Sequence, residues 1–249
     1  MGASRWRGVG VVGAHGASGV LTMAKRIRLA KRVVAESDRL AAELAGRFSA
    51  AGVFVANLMS SPGSGKTSLL EETARRMAKE LRMAVIEGDL ATDRDAQRIL
   101  RAGLPCRQIN TGGGCHLSAR QVLDALEAFN LADLDVLFIE NVGNLVCPAE
   151  FDLGERRRVV LASTPEGDDK PLKYPVAFHK ADCVVLNKID LLAATGFSRE
   201  AFRQYVRGVA PGVPVLELSC RTGEGLDAWL DWVRAESRAA RRGEPRPAK

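Results

Sequence analysis

The segment SSPGSGKTS, residues 60–68, is close to the phosphate-binding pattern G-x-x-x-x-G-K-[ST], but Ser60 replaces the first glycine. A short apolar run, residues 52–59, precedes it and a helical pattern, residues 67–81, follows, which is the context that a phosphate-binding loop requires. In that geometry backbone N–H groups at a helix N-terminus converge on phosphate oxygens. The segment therefore predicts a nucleotide site built from Gly63, Ser64, Gly65, Lys66, Thr67 and Ser68.

Two residues of this loop and two acids further on are candidates for catalysis or for binding Mg²⁺. We expect Lys66 to reach the β- and γ-phosphates and the Thr67 hydroxyl to ligate Mg²⁺. Asp89 and Glu140 end two predicted strands, so they should complete the Mg²⁺ site with waters and phosphate oxygens. Alternatively, each acid only caps a helix or faces solvent. Lys66, Asp89 and Glu140 are thus the predicted catalytic residues for in-line attack of water on the γ-phosphate. No glutamine or arginine stands out beside them, so hydrolysis should be slow.

The segment NKID, residues 187–190, follows another apolar run and indicates that the base is guanine. Asp190 can accept from N1–H and N2–H₂ of guanine, whereas adenine offers no matching donors, and the stem of Lys188 can pack on the ring. The loop SCRTGEGL, residues 219–226, follows the last predicted strand and should contact the base as well. The predicted base-binding residues are Asn187, Lys188, Asp190, Ser219 and Cys220, and they favour GTP over ATP.

A second kind of chemistry is suggested by Cys115 and His116 in the loop TGGGCHLSA and by Cys147 in NVGNLVCPAE. A Cys, His, Cys set suits Zn²⁺ or Ni²⁺, with water or a second subunit completing the coordination sphere. We expect the glycine-rich loop to place Cys115 at a helix N-terminus, which lowers the pKa of a thiol. Cys147 lies seven residues after Glu140, in a segment that should respond to the γ-phosphate. The alternative is that these are ordinary loop cysteines and an ordinary histidine.

Apolar runs and helical patterns alternate along the chain, which predicts parallel strands with helices on both faces of the sheet. The fold class is therefore α/β, a single doubly wound and mainly parallel sheet whose ligand sits at the carboxyl ends of the strands. The predicted strands are residues 52–59, 82–89, 134–141, 157–163, 182–190 and 213–219. The predicted helices are residues 33–48, 67–81, 93–102, 117–129, 198–209 and 224–238.

The net charge of +6 is concentrated at the two ends of the chain. Residues 1–32 hold seven basic and no acidic side chains, and residues 234–249 hold six basic and two acidic ones, so the segment between them is mildly acidic. A nucleic-acid groove needs basic charge on the folded body, so we expect no nucleic-acid partner. No apolar run is long enough to span a bilayer. Five irregularly spaced cysteines argue for free thiols in a reducing compartment, hence for the cytoplasm.

Four segments are expected along the chain. Residues 1–22 are interpreted as a disordered leader or an over-extended start, and residues 23–50 as an N-terminal helical segment. Residues 51–237 form the predicted P-loop domain, and residues 238–249 a basic disordered tail.

Taken together and in order, five segments resemble the hydrogenase nickel-incorporation GTPases, the HypB family, from about Lys25 to Val233. They are NLMSSPGSGKTSLLE, EGDLATDRDAQRI, TGGGCHLSA, FIENVGNLVCPAEFDLGE and the pair DKPLKYP with NKIDLL. The resemblance implies a P-loop GTPase domain of the SIMIBI type. Serine ahead of S-P-G-S-G-K is usual in that family, which explains the unusual start of the phosphate loop.

The resemblance also implies a function, a GTP-hydrolysing metallochaperone that binds nickel or zinc and helps insert nickel into [NiFe] hydrogenase. It implies a GTP-dependent homodimer that works with a zinc-binding nickel chaperone and serves the hydrogenase large subunit indirectly. The family's metal ligands correspond to Cys115, His116 and Cys147. The alternatives are nickel delivery to urease, or a metal carrier whose nucleotide site is structural.

Overall fold

A parallel sheet is the centre of the fold in the computed structural model, which describes residues 23–89 and 93–246 and side chains from residue 34 onward. The prediction for residues 1–22 lies outside these residues. Neighbouring strands within the described chain are all parallel, in the order β3-β2-β4-β1-β5-β6-β7 once numbered along the sequence. The doubly wound α/β fold is therefore confirmed. The strands are β1 (Phe54–Ser60), β2 (Met83–Asp89), β3 (Cys106–Asn110), β4 (Val136–Glu140), β5 (Arg157–Ser163), β6 (Cys183–Asn187) and β7 (Val215–Glu217).

One strand, β3, is absent from the sequence-based prediction, which contained six. Its sequence CRQIN has no apolar run, because β3 lies at the edge of the sheet and is only half-buried. It pairs with β2 in the register Val85 with Cys106. The other strands agree with their predicted segments to within a few residues at each end, and β5 agrees throughout.

Helices cover both faces of the sheet, as expected for a doubly wound fold. On one face, α2, α3 and α10 pack around Phe54, Phe138 and the fully buried Trp229. On the other face, α1, α4, α7 and α9 pack against strand residues such as Val55 and Val184. The helices are α1 (Met23–Ala51), α2 (Lys66–Met77), α3 (Arg94–Arg101), α4 (Ala119–Ala125), α5 (Cys147–Glu150), α6 (Lys170–Lys173), α7 (Pro175–His179), α8 (Leu192–Thr195), α9 (Arg199–Val209) and α10 (Leu226–Arg241).

The chain divides into two compact units at residue 35. In the first unit the structure describes the helical residues 23–35. In the second, residues 36–51 of α1 bury Leu40, Leu44 and Phe48 in the core shared with the sheet. This part of the predicted N-terminal segment thus belongs to the same unit as the sheet.

The C-terminal helix continues past the point where a disordered tail was predicted to begin. Residue 238 lies inside α10, which ends at Arg241 and buries Ala239 and Ala240. Arg241 forms an ion pair with Asp135, and Arg246 forms one with Asp152 at 3.1 Å. No helix in residues 23–89 and 93–246 is long and apolar enough to cross a membrane.

Candidate nucleotide and metal sites

The phosphate loop connects β1 to α2 at the carboxyl edge of the sheet, as the sequence predicts. Gly65 has φ 102°, and a Cβ there would lie 2.4 Å from Nδ2 of Asn187, so this position requires glycine. The Lys66 ammonium is nearly buried and donates to Oγ of Ser60 at 3.1 Å. Ser60 therefore has a role that a glycine could not have, because its hydroxyl holds the lysine in the loop.

A cavity of about 380 Å³ opens between this loop and the ends of β2 and β4. The three predicted catalytic residues, Lys66, Asp89 and Glu140, all line it, together with Thr67. The structure thus brings together side chains from three separate stretches of sequence, because the carboxyl ends of adjacent parallel strands meet at one edge.

Glu140 is the most constrained acid of this cavity. It is 3% exposed, and its Oε1 accepts a hydrogen bond from the Thr67 hydroxyl at 2.7 Å. Its Oε2 is buried and has no partner among the described residues. Burial raises the pKa of Glu140 to about 7, despite the nearby Lys66 ammonium. A hydroxyl and a carboxylate with a free oxygen fit Mg²⁺, which takes oxygen ligands and retains waters.

Glu87, which the sequence analysis did not single out, also lines the phosphate cavity. It lies on β2 in register with Glu140 on β4, is 2% exposed, and leaves Oε2 unpartnered among the described residues. Burial, and after it the charge of Glu140, raises the pKa of Glu87 to about 8. The signal in the sequence was an acid inside the otherwise apolar strand MAVIEGD.

Arg98 is a second residue that the sequence analysis missed. It lies on α3 and lines the same cavity, where its guanidinium donates to the Ser68 hydroxyl at 2.9 Å. It also contacts Glu71 at 2.6 Å and Asp95 at 3.0 Å. Its helical position gave no sign of this, because only the tertiary fold brings α3 against α2.

Four of the residues predicted to bind guanine, Asn187, Lys188, Asp190 and Cys220, line a second cavity of about 370 Å³, which shares Gly65, Ser68 and Lys188 with the phosphate cavity. The fifth, Ser219, is fully buried and does not line it. Asn187 donates to the carbonyl of Ser64 at 2.9 Å and accepts from the N–H of Cys220 at 3.2 Å. The amide of Asn187 thereby joins the phosphate loop to the loop after β7. The two cavities adjoin, as a nucleotide with its base and phosphates requires.

Asp190 and Lys188 of the same motif are held in fixed orientations. The Ser219 hydroxyl donates to Oδ1 of Asp190 at 2.6 Å, and Lys188 Nζ donates to the carbonyl of Gly63 at 2.7 Å. Lys188 has φ 62°, a left-handed conformation that is uncommon outside glycine and concentrates at functional sites. Burial raises the pKa of the Cys220 thiol to about 12, so that group is neutral at physiological pH.

The three candidate metal ligands come together although Cys147 is distant in sequence from the adjacent Cys115 and His116. One ligand atom from each of Cys115, His116 and Cys147 lies within 4.8 Å of the others. Sγ of Cys115 is 3.6 Å from Nδ1 of His116, and the imidazole stacks on Phe151 with ring centroids 4.1 Å apart. Burial lowers the pKa of His116, which favours the neutral ring that a metal needs. Two thiols and an imidazole suit Zn²⁺ or Ni²⁺ and leave a tetrahedral position for a fourth ligand.

The expected lowering of the Cys115 pKa is wrong. The hydrogen bond with Cys147 raises the pKa of Cys115, and burial adds to this. The helix dipole does not oppose the shift, because α4 begins at Ala119 with Ser118 as its N-cap, beyond Cys115. The raised pKa means that the Cys115 thiol holds its proton more firmly than a free cysteine does, so a metal ion that binds Cys115 has to displace that proton.

The loop between Glu140 and Cys147 contacts both candidate sites. Asn141 Oδ1 accepts from the N–H of Leu117 at 3.1 Å, directly after the Cys115–His116 pair. Asn144 Nδ2 donates to the carbonyl of Cys115 at 3.3 Å, and the backbone of Asn144 forms a β-bridge with Ser60. The nucleotide cavity and the thiol–imidazole cluster thus share one stretch of backbone.

A parallel sheet with a phosphate loop after its first strand and a guanine motif after its sixth defines a P-loop nucleotide-binding protein. A family model described as the CobW/HypB/UreG nucleotide-binding domain matches residues 54–217. The chain belongs to this family and, within it, to the HypB proteins, as the resemblance indicated.

Three comparisons support the assignment to HypB. The chain is 51% identical over 213 residues to the hydrogenase maturation factor HypB of Azotobacter vinelandii, which covers 86% of this chain and 70% of that protein. It is 45% identical to HypB of Escherichia coli strain K12, covering 89% of this chain and 78% of that protein. The crystal structure of HypB from Helicobacter pylori in complex with nickel superposes with a TM-score of 0.78 at 38% identity, over 86% of this chain and all of that one.

Proposed function

We propose that this protein hydrolyses GTP and uses the cycle to control binding and release of nickel for the maturation of [NiFe] hydrogenase. The observation that carries the proposal is the pair of hydrogen bonds that Asn141 accepts from, and Asn144 donates to, the loop of Cys115 and His116. The nickel complex of the Helicobacter pylori relative supports nickel as the cargo. Zn²⁺ is a second ion that the same thiol–imidazole set suits.

In the proposed reaction Lys66, held by Ser60, stabilises the charge that develops on the γ-phosphate. Bound Mg²⁺ would be held by Thr67, with Asp89 and Glu140 around it, and would neutralise phosphate charge. Asp89 and Glu140 also orient the waters at the γ-phosphate, one of which attacks in line. Guanine is held by Asn187, Lys188 and Asp190, with the loop of Ser219 and Cys220 beside it.

Coupling between the two sites is proposed to pass through the loop from Glu140 to Cys147. Gly143 lies against the phosphate loop, since a Cβ there would be 2.9 Å from Pro62. A γ-phosphate that displaces Gly143 therefore moves Asn144 as well, and with it the carbonyl of Cys115. Such a ligand-dependent difference in the cluster geometry is what makes metal affinity depend on the nucleotide.

The remaining parts of the proposal concern partners and cellular location. We propose a GTP-dependent homodimer in the cytoplasm that works with a zinc-binding nickel chaperone and reaches the hydrogenase large subunit indirectly. Nickel delivery to urease is not favoured, because the more similar relatives are named for hydrogenase maturation.

The test combines GTP turnover with nickel affinity, measured in GDP and in a non-hydrolysable GTP analogue. Lys66→Ala should reduce turnover about 100-fold or more, since it removes a charge that acts in the transition state. Cys147→Ala should leave GTP affinity unchanged and weaken Ni²⁺ binding. Equal Ni²⁺ affinities in the two nucleotide states would contradict the coupling. Turnover of the unmodified protein no faster than in buffer would favour the plain carrier.

A further inference from the structure

Glu87 is a buried acid in the phosphate cavity for which the proposed reaction has no role. It faces the same side of the sheet as Glu140, because the two are register partners on the neighbouring strands β2 and β4. Glu87 is 2% exposed and Glu140 is 3% exposed. Each leaves its Oε2 buried without a partner among the described residues, so two carboxylate oxygens of one cavity are unsatisfied.

None of the cations that line this cavity donates to either of these two oxygens. Lys66 donates to Ser60, Lys188 donates to the carbonyl of Gly63, and Arg98 is held by Glu71 and Asp95. A buried carboxylate without a partner is costly, so natural proteins retain one where a ligand completes its interactions. Triphosphate adds negative charge to the cavity and offers no hydrogen-bond donor to a carboxylate. A hydrated divalent cation can, because its waters donate to carboxylates.

We propose that Glu87 is a further positioning residue of the divalent-cation site, whose carboxylate accepts hydrogen bonds from the waters of a Mg²⁺ bound by Thr67 and the nucleotide phosphates. The inference rests on the proposed function of the same cavity and extends it to a residue not assigned there. Mg²⁺ keeps several waters in nucleotide sites. Replacing a carboxylate that contacts a metal ion only through its bound waters typically changes metal affinity 10- to 100-fold.

A purely structural role for Glu87 makes a different prediction. A structural carboxylate would have a basic or hydrogen-bonding partner whose loss destabilises the protein, as Glu155 has in Arg158 at 2.5 Å. Glu87 Oε2 has none among the described residues. Replacing Glu87 by glutamine should therefore leave the nucleotide-free protein as stable as before, or more so, and affect only the response to Mg²⁺.

The experiment compares Glu87→Gln with the unmodified protein in the binding of a fluorescent GDP analogue as Mg²⁺ is titrated. We expect the Mg²⁺ concentration at half-maximal binding to rise about tenfold in Glu87→Gln. Affinity in EDTA should be unchanged, because the raised pKa of Glu87 leaves most of its side chain protonated at neutral pH when no cation is bound. Glu127→Gln, at an exposed position on the same domain, is the matched control and should leave the midpoint unchanged.

Thermal unfolding of the nucleotide-free proteins separates the two roles, since Glu87→Gln should not lower Tm. A Mg²⁺ midpoint within twofold of the unmodified protein, or a lower Tm with no change in midpoint, would overturn the inference. If Glu87→Gln does not fold, Glu87→Asp serves in its place, because it keeps the carboxylate but withdraws it by one methylene. Glu87→Asp should also raise the Mg²⁺ concentration at half-maximal binding, and an unchanged concentration would overturn the inference. If the unmodified protein bound no guanine nucleotide at any Mg²⁺ concentration, the proposed function itself would fail.

Discussion

At the scale of single residues, Asn144 joins the nucleotide side of the molecule to the thiol side. Its Oδ1 accepts from the N–H of Val146 at 2.8 Å and closes a local turn. Its Nδ2 donates to the carbonyl of Cys115 at 3.3 Å. The two ends of one amide therefore have separable roles, since only the second connects the two loops.

This separation predicts that Asn144→Ser uncouples the two sites. Serine can retain a short turn-forming acceptor but cannot reach Cys115. Coupling free energies between sites typically correspond to about a 5- to 150-fold change in affinity. We expect the ratio of Ni²⁺ affinities in GTP analogue and in GDP to fall towards one, with GTP affinity itself within about twofold of normal. Calorimetric titration in each nucleotide state measures the ratio.

Asn130 offers a matched control for this substitution. Its Oδ1 accepts from the N–H of Ala132 at 3.3 Å, and its Nδ2 donates to Asp133 at 2.9 Å, away from both sites. Asn130→Ser should leave the affinity ratio unchanged. If Asn144→Ser keeps the same ratio of Ni²⁺ affinities in GTP analogue and in GDP as the unmodified protein, the coupling does not pass through Asn144.

At the scale of elements, Asp135 anchors the start of β4 to two other parts of the fold. It is 3% exposed and accepts hydrogen bonds from the backbone N–H and the side chain of Arg82, before β2. It also pairs with Arg241 in the last turn of α10. Burial tends to raise the pKa of Asp135, but hydrogen bonds from the two arginines outweigh it and lower the pKa to about 2.

The lowered pKa of Asp135 predicts the pH range in which this residue ceases to stabilise the fold. Because the folded pKa is below the unfolded value of about 3.9, the ionised carboxylate stabilises the fold above about pH 4 and ceases to do so as the pH falls towards 2. Asp135→Asn should lower the free energy of unfolding by about 2 kcal/mol at pH 7, and the difference should shrink below pH 4. Urea unfolding of the nucleotide-free protein at several pH values measures it. A difference in the free energy of unfolding that does not change with pH would contradict this prediction. The control Glu127→Gln should leave the free energy of unfolding unchanged at every pH.

The success of prediction at this scale depended on how deeply each element is buried. Strands β1, β4, β5 and β6 are covered on both faces and produce continuous apolar runs that can be recognised from sequence. Strand β3 is an edge strand of mostly polar residues, so its pairing with β2 comes from tertiary contacts alone. The end of α10 was misplaced for a similar reason, since basic residues such as Arg241 suggested a tail while their acidic partners lie far away in sequence.

The candidate sites, too, could be predicted where the sequence carries a local signal and not where tertiary contacts alone place a residue. The phosphate loop, the guanine motif and the Cys–His pair are local patterns, and their convergence follows from the parallel topology. Arg98 carries no local pattern, because it lies on an amphipathic helix, and the single local sign of Glu87 was an acid within a mostly apolar strand, which does not by itself indicate a site. Their place in the cavity depends on strand register and on the packing of α3 against α2.

At the scale of the whole molecule, a chain of contacts leads from the phosphate loop to an exposed apolar surface. Ser64 donates to Glu166 at 2.8 Å, and Glu166 accepts from Lys170 of α6 at 2.6 Å. Beside the buried Lys170, the side chains of Leu172 and Val176 are 52% and 45% exposed. We therefore expect a nucleotide bound in the phosphate loop to affect this surface through Ser64 and Glu166.

This surface is where we expect the proposed GTP-dependent dimer to form, since apolar groups exposed beside a ligand-responsive helix gain most from association. Sedimentation with a GTP analogue should give twice the monomer mass, and with GDP the monomer. Leu172→Gln should weaken the dimer about tenfold, as loss of a buried apolar anchor does. Leu100→Gln, at a leucine of similar exposure on α3, should not change it. If Leu172→Gln dimerises as the unmodified protein does, the subunits meet at a different surface, and a monomer in both nucleotide states would exclude a nucleotide-driven dimer.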